Sequence, residues 1–497
     1  MTQDPGSTGL YDARIEPTDQ RDAFTGGDVP VAVYGLGKMG LPIAAVFAEV
    51  TGTVIGADVD ERVVDRINAG DCPVSGEPGL ADAVATAVDE GSLRATAAPA
   101  EAASAAAIHV VIVPTLLDED DHPDLAAVEA VAEAIGSGLA PGDAVFVEST
   151  VPPGTCRDLV DPLLAEASGL ATDTYGLAFC PERTASGQAL EDIRGSYPKI
   201  VGGRDDESTR VARLVYDELT HNRVIPVSDP STAECVKVFE GLYRDVNIAL
   251  ANELAGLADE HAVDVREAIT AANTQPFCDI HDPGPGVGGH CIPYYPHFVL
   301  HGETPLPLVS LAREINDAMP IRTADRIETE LERVGVAVAD ATVVLLGITY
   351  RPGIDETRAS PTYPMAAALT DRGADVYAVD PVCSDPGALD ATVLPIDRFA
   401  DVDPDAVALV TGHDAFADLP WEAVDDAVVI DGRDFFDGSV GLPTYTIGRG
   451  RTVPGGSLDS AARTDAPAST ATDDVTGRDD SGDRSGPAGP REVPPDE

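Results

Sequence analysis

The sequence predicts an α/β protein with two parallel-sheet domains joined by a central helical region. Three observations lead there. Apolar, β-branched runs alternate with helical stretches in two separate parts of the chain, and strands apolar on both faces belong to parallel sheets covered by crossover helices. Between the two parts lies a long stretch of helical periodicity, opening at SDPSTAECVKVFEGLYRDVNIALANELAGLADEHAVD. A glycine-rich turn, GLGKMG, follows directly on the first strand and opens a helix.

At about 150 residues per domain, the 497 residues suggest roughly three folding units. Residues 1–28 lack apolar periodicity and read as a flexible leader. The first domain, Rossmann-like, spans 29–225, with strands at VPVAVYG (29–35), TVIGAD (53–58), IHVVIVPT (108–115) and AVFVEST (144–150). Residues 226–325 form the helical middle section. A second Rossmann-like domain covers 326–448, with strands at ATVVLLGITY (341–350), ADVYAVD (374–380), AVALVTG (406–412) and AVVIDGR (427–433). Residues 449–497 contain no aromatic residue and are rich in Gly, Pro, Ser, Thr and Asp, which reads as a disordered acidic tail.

The charge balance is extreme: 86 acidic residues against 32 basic, net −54. Such a surface repels phosphate backbones and anionic lipid, which argues against nucleic-acid or membrane partners. No apolar run reaches the length of a membrane span, and the N-terminus has no apolar signal core, so a cytoplasmic protein is expected. Only three of the basic residues are lysines: Lys38, Lys199 and Lys237. Acid excess with lysine depletion points to a halophilic, salt-adapted protein, because the Debye length falls to about 3 Å at 1 M salt and self-repulsion becomes tolerable. Seven scattered cysteines form neither a metal spacing nor a disulfide framework, and no metal is expected.

In Gly35-Leu36-Gly37-Lys38-Met39-Gly40, the first glycine permits the tight turn and the second lets backbone approach a pyrophosphate. The third lets helix pack on strand. Asp58 closes the next strand, where a carboxylate accepts hydrogen bonds from a ribose 2′-OH and repels a 2′-phosphate, so the expected cofactor is NAD. Thr115 and the Glu148-Ser149-Thr150 run sit at the carboxyl ends of later strands, where ligands bind but where hydroxyl residues also cap helices. Lys237 lies among Val236, Val238 and Phe239 on the middle helix; in a chain with so few lysines it is a functional candidate as much as a surface residue. The segment Asp282-Pro-Gly-Pro-Gly286-Val-Gly288-Gly289-His290-Cys291-Ile-Pro delivers one cysteine from a glycine-rich loop. Its N–H groups can stabilise a thiolate or an oxyanion; a buried structural cysteine would not explain the glycines.

With GLGKMG, STVPPGT, CPER, the KVFEGLYRDVNIALANELA helix, GPGVGGHCIP and LLGITYRPGIDETRASP in this order, the chain resembles the UDP-glucose/GDP-mannose dehydrogenase family over about 30–447. The similarity is greatest to the branch that acts on UDP-N-acetylmannosamine. The resemblance implies an NAD-dependent, four-electron oxidation of a nucleotide-sugar C6 alcohol to the carboxylate, in a homodimer formed through the central helix. It implies that Cys291 is the nucleophile, passing through a thiohemiacetal and a thioester, and that Lys237 stabilises the oxyanion. Thr150 and Glu182 would handle the catalytic water. Glu182, Arg183, Lys237, Arg244, Arg351 and the backbone of Gly286, Gly288 and Gly289 would meet the UDP-sugar, and Arg358 would reach the cofactor beside Thr115 and Thr150.

Two positions depart from the family pattern. Tyr295 stands where an aspartate usually follows the cysteine by four residues, and Gly241 where an asparagine usually follows the helix lysine by four. Either Tyr295 with an extra water substitutes, or turnover is slower or chemically different. GHCIP and the RDVNIALANE helix favour a UDP-N-acetylhexosamine, UDP-N-acetyl-D-mannosamine first, in surface-polysaccharide or glycoprotein precursor synthesis. UDP-glucose is the alternative substrate; a two-electron hydroxyacid dehydrogenase and a non-enzymatic nucleotide-sugar binder are the rivals.

Overall fold

The structure, a computed structural model, describes residues 9–453 apart from Arg14 and Asp425. The first ten strands are β1 (Val31–Tyr34), β2 (Val54–Ala57), β3 (Leu93–Thr96), β4 (Ile108–Val111), the hairpin β5 (Leu116–Leu117) and β6 (Pro123–Asp124), β7 (Ala144–Val147), β8 (Gly176–Phe179), β9 (Lys199–Gly203) and β10 (Val224–Val227). All but the hairpin form an eight-stranded sheet in the order β10-β9-β8-β7-β4-β1-β2-β3, parallel except where β8 meets β9. All four residues of β1, β2, β4 and β7 are buried, because helices cover both faces. Strand order reverses between β1 and β4, and a crevice for a ligand opens at that switch point, beyond their carboxyl ends.

The second sheet contains β11 (Thr342–Leu346), β12 (Asp375–Val379), β13 (Thr392–Leu394), β14 (Ala406–Leu409), β15 (Val428–Asp431), β16 (Thr444–Thr446) and β17 (Gly450–Thr452). Its order is β13-β12-β11-β14-β15-β16-β17, parallel except for the last pair. The expected class, α/β with two largely parallel sheets and a helical middle, is the one observed.

Two long helices, Pro230–Ala255 and Pro307–Arg333, run side by side between the sheets. Asp229 caps the first by accepting from Thr232 N at 2.8 Å, with Pro230 in the first turn where its missing N–H costs nothing. Asp245 pairs with Arg313 and accepts from Asn316 Nδ2 at 2.8 Å, and Asn252 Nδ2 donates to Asn316 Oδ1 at 3.0 Å. Burial pushes the Asp245 carboxyl up to about 6 against the pull of Arg313. The second helix runs past residue 325, so the expected domain boundary there falls inside a helix.

Two further expectations are corrected. The expected flexible leader contains a helix, Pro17–Thr25, with Leu10, Tyr11 and Phe24 buried and Tyr11 OH donating to Asp205 Oδ2 at 3.0 Å. These few apolar residues dock it together with Arg210, which donates to Gln20 Oε1 at 2.8 Å and to Leu10 O at 3.1 Å, and they are too few to show a period. The expected tail begins too early: Gly450–Thr452 pairs with β16, and Arg449 Nε donates to Asp264 Oδ2 at 2.7 Å. An edge strand held by backbone bonds needs no apolar side chain, so composition does not reveal it. The rest of the tail reading, residues 454–497, lies outside the described residues, as do residues 1–8 of the leader. Among the described residues no helix is long and apolar enough to cross a membrane.

Candidate active site

The dinucleotide turn is built as its glycines require. Gly35 has φ +94°, and a Cβ on Gly40 would lie 1.8 Å from Gly35 O. A Cβ on Gly37 would meet nothing within 4 Å, so the outer face of the turn is open to a ligand. Asp58, half-buried at the end of β2, accepts from Leu36 N at 2.8 Å and from Asp60 N at 2.9 Å, which fixes it under the turn. These residues fit NAD: an open backbone cradle at a helix start for the pyrophosphate, and a carboxylate at the next strand end for the ribose. Met39 Sδ accepts from Thr184 Oγ1 at 3.2 Å, and Lys38 Nζ reaches Glu356 Oε2 at 3.0 Å. Arg358 Nε lies 3.4 Å from the other oxygen of Glu356, so the loop after β11 meets the dinucleotide turn through one carboxylate.

Lys237 stands two turns into the long helix, buried, with Nζ 3.7 Å from Glu182 Oε2 and 5.8 Å from the centroid of the Tyr295 ring. Burial works against its charge, but the acidic groups around it, Glu182 among them, outweigh burial and lift its pKa, so it stays an ammonium. Cys291, exposed, opens a short helix (Cys291–Tyr294) whose next residue returns a hydroxyl to it. Tyr295 OH donates to Cys291 Sγ at 3.1 Å and shares a hydrogen bond of 3.2 Å with Thr150 Oγ1. Thr115 Oγ1 donates to Thr150 O at 2.6 Å. His290 Nε2 lies 2.9 Å from Thr115 O; a carbonyl only accepts, so Nε2 carries the hydrogen. Burial depresses the His290 pKa, leaving a neutral strut between the cysteine loop and the NAD domain.

The glycines of that loop are explained by close approach to the second sheet's loops. A Cβ on Gly288 would come within 2.7 Å of Tyr350 Cβ, one on Gly289 within 2.9 Å of Tyr350 Cε2, and one on Gly286 within 2.9 Å of Pro361. Gly289 N donates to Arg358 O at 2.9 Å, and Arg433 Nη2 donates to Gly286 O at 3.1 Å. Arg351 is exposed on the facing loop. Arg183 is held by Glu240 at 2.5 Å and by Pro198 O at 3.0 Å, and Thr184 N donates to Glu182. Under Thr150, the buried Glu148 accepts from Lys199 Nζ at 2.8 Å and from Tyr216 OH.

The structure thus gathers Thr115, Thr150, Glu182, Lys237 and Cys291 around one point, with the dinucleotide turn and Arg358 joined beside it. Arg244 is not brought there: it lines a separate surface cavity with Asn273, Asp279 and His281, because it lies two helical turns beyond Lys237. Sequence reasoning missed the His290 strut, Glu356 as the link between the two domains, and the Arg433 contact. Their partners are far away in sequence, and no local pattern marks them.

Comparison with known proteins identifies the three domains. Residues 29–220 match the NAD-binding domain of the UDP-glucose/GDP-mannose dehydrogenase family, 231–318 its central domain and 344–438 its UDP-binding domain. The chain belongs to that family. It is 33% identical over 428 residues to a UDP-N-acetyl-D-mannosamine dehydrogenase of Pyrococcus horikoshii, covering 84% of this chain and 99% of the relative. It is 36% identical over 413 residues to an NDP-N-acetyl-D-galactosaminuronic acid dehydrogenase of Ralstonia nicotianae, covering 81% and 95%. Among solved structures, a UDP-D-ManNAc dehydrogenase from Pyrococcus horikoshii superposes with TM-score 0.77 at 32% identity, covering 85% of this chain and 100% of that one. A UDP-glucose dehydrogenase from Pyrobaculum islandicum superposes with TM-score 0.75 at 28% identity, covering 83% and 96%. The chain is therefore an NAD-dependent oxidoreductase of the nucleotide-sugar dehydrogenases.

Proposed function

We propose that the protein oxidises the C6 hydroxyl of a UDP-N-acetylhexosamine, first of all UDP-N-acetyl-D-mannosamine, to the uronate through a thioester on Cys291. The observation that supports this most is the placing of the Cys291 thiol in one cluster with Lys237, Glu182 and Thr150, beside a turn that fits NAD. The Gly35–Gly40 turn and Asp58 would hold NAD, which would supply the hydride acceptor for each of the two oxidations.

Lys237 offers a permanent positive charge to the C6 oxygen as the alcohol passes its proton to water beside Glu182, and again when the tetrahedral adduct forms. Cys291 Sγ bonds to the aldehyde carbon, giving a thiohemiacetal, and after the second oxidation it holds the acyl group as a thioester. A thiolate suits both tasks, attacking readily and leaving readily. Glu182, facing Lys237 at 3.7 Å, takes the proton of the water that attacks the thioester, with Thr150 orienting that water. Arg351 and the backbone of Gly286 and Gly288 hold the nucleotide sugar, the Gly289 N–H being already given to Arg358 O, and Arg358 with Lys38 closes over the cofactor.

The homodimer is proposed through the central helix, where Phe239, Tyr243 and Leu250 leave large apolar surfaces exposed on neighbouring turns. UDP-glucose is the second reading, favoured by the solved Pyrobaculum neighbour. A panel of UDP-sugars assayed with NAD in molar KCl decides between them. The proposal expects kcat/KM highest for UDP-N-acetyl-D-mannosamine, and a higher value for UDP-glucose would overturn the substrate assignment.

A further inference from the structure

The two positions at which the chain departs from the family pattern, Gly241 and Tyr295, are one unit in space. A Cβ on residue 241 would lie 2.4 Å from Tyr295 Cδ2, 3.0 Å from its Cβ and 3.1 Å from its Cγ. Turning the ring about its Cβ–Cγ bond moves Cδ2 but leaves Cβ and Cγ at 3.0 and 3.1 Å, so a Cβ at 241 makes Tyr295 shift. The ring rests on the long helix between Val238 and Phe298, and its hydroxyl projects into the cluster. There it meets the thiol on one side and the Thr150 hydroxyl on the other. With Tyr295 donating to sulfur, Thr150 donates to Tyr295, and the chain of donors Thr150–Tyr295–Cys291 ends on the reacting atom.

We propose that Tyr295 is a catalytic residue whose hydroxyl donates to Cys291 Sγ whenever the sulfur carries negative charge, and that Gly241 is the seat that lets the ring reach it. The inference rests on the C6 oxidation through Cys291 proposed above. Burial, against the pull of Lys237, holds the phenol pKa well above its ordinary value, so the group keeps its proton and acts as a donor. In hydrolysis the water oxygen bonds to C6 and its proton passes to Glu182. The C–S bond then breaks, and its electron pair returns to Sγ. Thioester and water become a carboxylic acid, a thiolate and one proton on Glu182. The departing thiolate takes a hydrogen bond and no proton from Tyr295. An aspartate in this position would place a negative charge beside that thiolate, whereas the phenol does not.

Tyr295→Phe keeps the ring and removes only the donor. Loss of one hydrogen bond to a charged sulfur lowers the thiolate fraction about tenfold, and the more basic thiolate that remains attacks about threefold faster. Iodoacetamide labelling of the peptide carrying Cys291, in the full-length protein at neutral pH, is expected to slow about threefold. Single-turnover release of the uronate is expected to slow about tenfold, with acyl-enzyme accumulating. Gly241→Ala, which keeps the hydroxyl but moves the ring, is expected to give the same two losses. The double variant Gly241→Asn with Tyr295→Asp is expected to exceed both of its single variants in turnover. A Tyr295→Phe protein that labels and turns over like the parent overturns the proposal. Labelling needs no sugar, so it judges Tyr295 even if the parent oxidises no UDP-sugar, an outcome that would instead sink the functional reading.

Discussion

Each of the three lysines is set against a carboxylate: Lys38 on Glu356, Lys199 on Glu148 and Lys237 on Glu182. The second pair gives the sharpest stability test. Glu148 is 2% exposed and Lys199 17%, at 2.8 Å, directly below the strand end that carries Thr150. Lys199→Met keeps the stem's packing but leaves a buried carboxylate with the Tyr216 hydroxyl as its remaining side-chain partner. Breaking a buried pair by removing one member costs about 3–5 kcal/mol. At about 2–4 °C per kcal/mol for a domain of this size, the NAD domain should melt roughly 10 °C lower. Salt does not rescue it, because a buried charge is little screened. Calorimetry in molar KCl measures the shift, and Lys199→Met with Glu148→Gln, which removes both charges, should recover most of it. A single variant melting within about 2 °C of the parent, or a double variant no better than the single, refutes the reasoning.

Asp58→Ala should raise the NAD KM about tenfold or more and weaken the preference over NADP, since a hydrogen bond to a charged group contributes about 1.5–3 kcal/mol; equal use of both cofactors by the parent would contradict this. Lys237→Ala should lose about 10²–10³ in rate while NAD and UDP-sugar still bind by calorimetry, as for removal of one oxyanion donor. Activity should rise with KCl toward molar concentration, given a net charge of −54, and full activity in dilute buffer would remove the salt-adapted reading.

The centres of the two sheets were legible because strands such as β1, β4, β7, β14 and β15 are buried on both faces and stand out as apolar runs, whereas the partly exposed β3, β10 and β13 do not. The NAD turn was legible because a tight turn, an open cradle and a close helix–strand contact each demand glycine at Gly35, Gly37 and Gly40. Cys291 and Lys237 were visible as chemical oddities, one in a glycine loop and one in a chain nearly free of lysine. What bound them together was not: the Thr115–His290 strut and the Glu356 link join segments far apart in sequence. Gly241 and Tyr295 showed as two separate departures; only the 2.4 Å approach of a Cβ at 241 reveals that the placing of Tyr295 depends on glycine at 241. The helix at Pro17–Thr25 and the strand at Gly450–Thr452 escaped because each is fixed by a few tertiary contacts rather than by a repeating pattern.

The central claim is that oxidation runs through four electrons on a covalent cysteine adduct, and counting NADH per UDP-sugar consumed tests it most directly. The parent should form two NADH per sugar with no free aldehyde, and Cys291→Ala should form no uronate while still binding UDP-sugar and NAD. In Cys291→Ser, mass spectrometry should find a sugar-nucleotide adduct on the peptide carrying residue 291, because an ester hydrolyses far more slowly than a thioester. One NADH per sugar in the parent, or near-normal uronate from Cys291→Ala, would contradict the account.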